Sequence, residues 1–238
     1  MKDDLNTLKQ LEQRFGNRHA FGRLAVLAGN IRHGFASRAS AWSKRTLDVA
    51  VAGAALAVFL PFGLVIALLI RRDGGPVFYW QDRVGYRGRT FRFPKFRSMI
   101  ANADQLRETL LEANDHAGSG ITFKSENDPR ITAVGRFLRR SSLDEIPQLW
   151  SVLKGDMSLV GPRPALPDEV QRYTPLQRRR LETKPGLTCI WQVSGRSQIP
   201  FEGQVALDLA YIRTRSFRGD LVLLVKTVPA VLFGRGAS

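Results

Sequence analysis

The chain has 238 residues, with 36 Lys and Arg against 21 Asp and Glu, a formal net charge of +15. That excess points to an anionic partner: a phosphorylated substrate, an anionic membrane face or nucleic acid. One cysteine, Cys189, excludes an intrachain disulfide and fits a reducing compartment, and three scattered histidines with it give no zinc-ligand spacing.

Residues 1–43 are basic, with Phe21, Leu24, Leu27, Ile31 and Phe35 spaced by three or four and Arg23, Arg32 and Arg38 between them. Two readings stay open: an amphipathic helix lying on a membrane surface, or a helix packed on its own domain. Val49 to Ile70 is a run of 22 residues without a charge, long enough to be a membrane helix. It starts too far into the chain for a signal peptide. Pro61, near its middle, removes a ladder hydrogen bond and predicts a kink. Lys44 and Arg45 precede the run and Arg71 and Arg72 follow it, so the positive-inside rule barely distinguishes its ends. A helix that enters, breaks at Pro61 and returns to the same face satisfies both basic ends and is favoured over a tilted span. Asp48, at the edge of the run, is expected to pair with Lys44 or Arg45.

Val77–Trp80 and Thr90–Phe93 read as strands joined through Gly85-Tyr86-Arg87-Gly88. Lys95 and Arg97 then stand close to a strand end. Residues 101–115 predict an exposed helix and 116–120 a loop, and Asp128-Pro129 opens the next element. Ile131, Val134, Phe137 and Leu138 make one face of a helix whose other face carries Arg136, Arg139 and Arg140.

The next stretch, Ser142-Leu143-Asp144-Glu145-Ile146-Pro147, places two adjacent carboxylates where a helix begins. Ser142 and Glu145 have capping-box spacing, whereas Pro147 argues for Asp144 as the cap. Either start puts Asp144 and Glu145 in the first turn, where backbone N–H groups favour negative charge. Two readings stay open from this stretch alone: an Asp-Glu pair that only caps a helix, or an ionised Asp able to attack phosphorus. Gly161-Pro162-Arg163-Pro164 fixes the backbone around one arginine, which suits either bidentate phosphate binding or a proline-stiffened turn with a solvated arginine. Residues 165–182 predict a charged helix with Arg178-Arg179-Arg180, and 184–196 a loop with a short strand. Phe201–Ile212 predicts a helix, and Leu221–Phe233 a packed or interfacial one. No Walker loop, dinucleotide fingerprint, Ser-His-Asp set or nucleic-acid-binding motif is present, so nucleic acid is not an expected partner.

In order, these motifs resemble those of the bacterial sugar transferases, the monotopic phosphoglycosyl transferases. The resemblance runs from Lys44 to Gly236. It is carried by Lys44-Arg45 with Asp48, the proline-interrupted helix, Lys95-Phe96-Arg97-Ser98-Met99 and Asp128-Pro129-Arg130. Ser142 to Glu145, Gly161 to Pro164, Pro185-Gly186-Leu187-Thr188, Gln192-Val193-Ser194-Gly195-Arg196 and Gly234-Arg235-Gly236 complete it. It implies a mixed α/β, mainly helical monotopic membrane protein with a re-entrant helix over 44–72, a small β-hairpin and a cytosolic catalytic domain over 73–238. It further implies a bacterial enzyme at the cytoplasmic face of the plasma membrane. Such an enzyme moves a hexose-1-phosphate, galactose or glucose, from a UDP-sugar to undecaprenyl phosphate and releases UMP, initiating exopolysaccharide or another surface glycan.

On that resemblance Asp144 is the nucleophile and Glu145 assists. Arg139, Arg163, Lys95, Arg97, Gln192 and Arg196 are the phosphate- or substrate-binding set. Lys44, Arg45, Asp48 and Pro61 belong to the membrane helix. Magnesium is the implied cofactor, held by Asp144 and Glu145, and anionic lipid, a second copy or downstream glycosyltransferases are implied partners. Two positions depart from the family pattern: Leu60-Pro61 replaces Ser-Pro, and Cys189 replaces a glycine.

Overall fold

The computed structural model describes residues 38–72, 74–100, 102–103, 106, 128–195 and 199–232. Most of the helix expected over 101–115 and the loop after it, Arg196, and the greater part of the N-terminal segment lie outside them. The first element, α1 (Arg38–Arg71), starts six residues before Lys44 and spans 34 residues, roughly 50 Å at helical rise. It continues through Pro61. The proline costs one ladder bond, but the residues on both sides stay helical and the expected break does not interrupt the helix.

Both ends of α1 are tied to the rest of the chain. Near its start, Lys44 pairs with Asp220, and Arg45 donates from both terminal nitrogens to the carbonyls of Val152 and Leu153, each at 2.6 Å. Asp48 is buried but pairs with neither cation. Its Oδ1 accepts from Ser158 Oγ and Leu159 N, both at 3.1 Å, because Lys44 and Arg45 are drawn off to other elements. Near its end, Ile66 and Ile70 pack with Phe96 and Leu138. Between these anchors Val58, Leu60, Phe62, Leu64 and Val65 are 57–65% exposed. Each would gain roughly 1.5–3 kcal/mol on leaving water.

A hairpin of β1 (Phe78–Val84) and β2 (Thr90–Phe96) follows, antiparallel with Phe78 opposite Phe96 and Val84 opposite Thr90. Its tip, Tyr86–Gly88, is a 3-10 turn in which Arg87 adopts φ 56. Next come α2 (Ala133–Ser141), capped by Thr132 Oγ1 on Gly135 N, a 3-10 turn at Leu143–Glu145, and α3 (Gln148–Lys154). Then β3 (Ser158–Val160) pairs in parallel with β4 (Gly186–Thr188), the short strand expected within 184–196, and β3 itself is a strand the local pattern does not predict.

The charged helix expected over 165–182 is instead α4 (Pro167–Gln171), α5 (Pro175–Arg178) and a 3-10 turn (Arg179–Glu182). Arg172 ends α4 and Thr174 caps α5, its Oγ1 accepting from Gln177 N, with Pro175 at N1 where its missing N–H is harmless. Short α6 (Ile190–Ser194), then α7 (Phe201–Thr214) and α8 (Phe217–Leu232) complete the chain. The main core gathers Phe93, Leu149, Val152, Met157, Leu159, Val160, Trp191, Leu207 and Leu223 around Ala52 of α1. On α8, Leu223 is buried while Leu221, Val222, Val225 and Val228 are exposed, so it is packed on one side only.

Candidate active site

The Asp-Glu pair does not open a helix as expected. Ser142 ends α2 with a left-handed φ of 57, its N–H turned back to Leu138 and Arg139 carbonyls, and its side chain caps nothing. Pro147 lacks the N–H a helix interior needs, so α3 starts only at Gln148. Asp144 and Glu145 therefore occupy a separate 3-10 turn between two helices, reached through a strained non-glycine residue. Strain of this kind clusters at functional sites.

Three further segments converge there. Lys95 on β2 donates to Glu145 Oε1 at 2.9 Å. Arg163 Nη2 reaches the same oxygen at 3.4 Å. Arg163 stands on a turn clamped to the strand beside it: Gly186 N donates to Pro162 O at 2.8 Å and Gly161 N to Thr188 O at 3.0 Å. A Cβ on Gly186 would lie 2.0 Å from Gly161 N, so only glycine allows this approach. Arg139, on the last turn of α2, acts on Asp144 through space.

Sequence reasoning missed Arg83. It donates from Nη1 to Pro164 O at 3.0 Å and from Nε and Nη2 to Gln81 Oε1, and its guanidinium lies 5.4 Å from the Phe93 ring centroid. Burial and the neighbouring Arg163 charge lower its pKa to about 10. Its alternate-residue spacing on β1 from Gln81 was the available signal, but its partner is 81 residues away.

The two carboxylates have different environments. Burial raises Asp144 to about 6, against the pull of Lys95, with Glu145 adding to the rise and Arg139 and Arg163 opposing it. Among the described residues, no side chain donates a hydrogen bond to Asp144. Glu145 is also pushed up by burial, but Lys95 and Arg163 outweigh that and hold it well below the usual carboxylate range. One acid is thus fixed as an anion, and its neighbour is poised near neutrality with its oxygens unengaged. Four cations surround two acids, leaving an excess that suits a diphosphate.

The other expected residues lie elsewhere. Arg97 is buried and its Nη2 donates to Ile70 O at 3.0 Å, so it caps the end of α1 rather than joining Glu145. Gln192 Oε1 accepts from Cys189 Sγ at 3.1 Å. Cys189 itself is extended at φ −148, a conformation any residue adopts, so its replacement of a glycine leaves the backbone unstrained. Among the described residues no group of three or more His, Cys, Asp or Glu converges. Asp144 and Glu145 offer hard oxygens, and such a pair fits magnesium only where phosphate oxygens and water complete its shell.

The bacterial sugar transferase family matches residues 39–234. A galactosyl transferase, CpsE, of Streptococcus agalactiae is 46% identical over 82% of this chain and 43% of its own length. An undecaprenyl-phosphate galactose phosphotransferase of Salmonella typhimurium is 44% identical over 89% of this chain and 45% of its own. The chain thus spans less than half the length of these two relatives. The exopolysaccharide production protein ExoY of Rhizobium meliloti is of similar size, 42% identical over 82% of this chain and 88% of its own length. With its apolar helix, its Asp-Glu turn and this match over most of its length, the chain belongs to the bacterial sugar transferase family.

Proposed function

We propose that the protein transfers a hexose-1-phosphate from a UDP-sugar to undecaprenyl phosphate, releasing UMP, as the initiating step of exopolysaccharide or other surface-glycan synthesis. An Asp144 oxygen attacks the β-phosphorus, the bond from that phosphorus to the bridging oxygen breaks, and UMP leaves with the electron pair. The lipid phosphate oxygen then attacks the same phosphorus and frees the Asp144 carboxylate. The observation that carries this reading is the unequal pair: Asp144 buried and unengaged, Glu145 held ionised between Lys95 and Arg163. Arg163, Arg139 and Arg83 would neutralise charge on the transferring phosphoryl. Galactose, named for the Salmonella relative, is the first sugar to test, with glucose second.

Magnesium belongs to this proposal. Asp144 and Glu145 would hold it together with diphosphate oxygens, and it would supply charge neutralisation at the departing UMP. The same proposal places α1 in the bacterial plasma membrane as a re-entrant element, with the catalytic residues on the cytoplasmic face and anionic lipid around them. What supports a re-entrant path is that Lys44, Arg45 and Asp48 at one end, and Ile66 and Ile70 at the other, all pack on a single body. A straight span would carry its two ends to opposite faces.

The test is UMP release from UDP-galactose and UDP-glucose by the lipid-reconstituted protein, with undecaprenyl phosphate and Mg²⁺, for wild type and Asp144→Ala. Release that needs the lipid and is lost in the variant supports the reading. Equal release by the variant overturns Asp144 as nucleophile. Intact mass after donor alone reads the phosphosugar adduct. A wild-type protein with neither release nor adduct from any UDP-sugar would leave a basic membrane adaptor instead.

A further inference from the structure

The β-hairpin has two faces with different chemistry. On one, Arg83 reaches Pro164, Lys95 reaches Glu145, and Phe93 is buried between them at 1% exposure. The other carries Phe78, Trp80, Asp82, Arg92, Pro94 and Phe96, since side chains alternate along a strand. Phe96 packs on Ile66 and Ile70 of α1, with its Cζ 3.8 Å from where a Cβ on Gly63 would stand. Phe78 stacks on Phe96 at 5.4 Å, and Trp80 lies 6.5 Å beyond Phe78. The Arg92 guanidinium covers the Trp80 ring at 5.3 Å.

An aromatic path therefore runs from the end of α1, where Phe96 packs beside the exposed stretch, onto the hairpin. Its outer members do not close into a core: Phe78 is 43% and Trp80 44% exposed. Arg71 and Arg72, both exposed, flank it at the end of α1, and Asp82 stands opposite Arg92 in the ladder. We infer that this face of the hairpin lies in the headgroup layer of an anionic bilayer, with Phe78 and Trp80 immersed and Arg71, Arg72 and Arg92 among lipid phosphates. Continuity with the apolar surface of α1 and the surplus of arginine select lipid over a protein partner. Aromatic rings with a polar edge, and arginines beside them, suit that layer. The consequence is positional: the strands that dip into the interface carry Lys95 and Arg83 on their reverse side, at the height of a membrane phosphate.

The inference rests on the membrane reading of α1, and the experiment separates the two. Trp80→Cys, Phe78→Cys, Val65→Cys and Glu202→Cys variants of the full chain are labelled with an environment-sensitive fluorophore and reconstituted in phosphatidylethanolamine–phosphatidylglycerol vesicles. Buried Cys189, whose thiol burial holds well above its usual pKa, stays unlabelled. The expected result is quenching at 80 and 78 by lipid-borne nitroxide and protection from aqueous iodide, against the reverse at exposed position 202 on α7. Iodide access at 78 and 80 equal to that at 202, with 65 lipid-accessible, would overturn the hairpin proposal alone. A label at 65 open to iodide would instead overturn the membrane reading of α1. Protection at 80 from both quenchers would mean that protein covers the face, and would also overturn the proposal. In vesicles of phosphatidylcholine alone, iodide protection at 80 is expected to fall, and unchanged protection there would overturn the requirement for anionic lipid.

Discussion

Two buried charge clusters of this chain look alike by composition and differ in design. In one, Arg180 gives Nε to Asp208 Oδ2 at 2.9 Å and Nη1 to Tyr173 Oη at 2.9 Å, and its guanidinium lies 5.7 Å and 5.6 Å from the Tyr173 and Phe201 ring centroids. One cation meets one acid, and Asp208 is 1% exposed. In the other, Lys95, Arg163, Arg83 and Arg139 surround Asp144 and Glu145, with charge unbalanced and Asp144 free of donors. Each cluster keeps a carboxylate oxygen without a donor, and burial raises both Asp208 and Asp144 to about 6. The difference therefore lies in charge: a balanced pair stabilises a fold, whereas an excess of cations can take a further anion.

Asp144→Ala is the sharpest way to break the comparison. Turnover should fall at least about 10³-fold, because Glu145, the other carboxylate of the site, is held by Lys95 and Arg163 and cannot replace the nucleophile. Asp144→Asn should lose activity as fully and yet gain stability. The Asp144 carboxyl has a folded pKa of about 6 against an ordinary 3.8, so the folded chain binds this proton more tightly than the unfolded one. Its stabilising contribution is full below the unfolded value and is lost as pH rises through about 6. At pH 7 the ionised group therefore opposes folding, and Asn should recover up to about 3 kcal/mol in denaturant unfolding. Asp208→Ala should do the opposite, costing roughly 3–5 kcal/mol by leaving Arg180 buried without its counter-charge. A stable Asp208→Ala protein would end the distinction between the two clusters.

Lys95→Met should lower turnover roughly 10²-fold, as for loss of one preorganised charge. The pH profile separates this from simple damage. Activity should rise with pH through about 6 as Asp144 ionises. Removing Lys95, whose charge pulls that value down, should move the rise to higher pH, and Glu145→Gln should move it lower. A rise that stays fixed in both variants would exclude Asp144 as its source. Arg83→Lys should cost about tenfold, because an ammonium keeps the charge but cannot hold Gln81 and Pro164 together. Full activity in Arg83→Lys, with loss in Arg83→Met, would show that charge alone matters there.

The comparison also explains what was legible in the sequence. Asp144, Glu145, Lys95 and Arg163 sit in short motifs whose residue types announce phosphate chemistry, and folding brings them together. The boundaries of their turn were misjudged because capping-box spacing at Ser142 competes with Pro147, and the proline decides where α3 starts. Arg83 and the Arg180–Asp208 pair were illegible for another reason: each depends on a contact between distant segments, which no local pattern encodes. Arg97 resembled Lys95 two positions away on the same strand face. Which cation turns to Glu145 and which to Ile70 depends on where α1 ends, and that is a tertiary fact.

The smallest expected effect concerns Cys189, which lies between the two clusters and interacts electrostatically with Arg163, Arg180 and Asp208. Its thiol is buried, donates to Gln192 Oε1 at 3.1 Å and precedes α6 in an extended conformation. Cys189→Gly restores the residue usual at this point of the family pattern. It removes a buried side chain with its hydrogen bond and adds backbone freedom to the unfolded chain, for a cost in stability of roughly 2 kcal/mol and none in turnover. If the clusters are independent, unfolding should shift by that amount while turnover and its pH profile stay unchanged. A moved pH profile would mean that the thiol carries the field of Arg180 and Asp208 into the active site, and the division between a structural and a reactive cluster would then be one of degree.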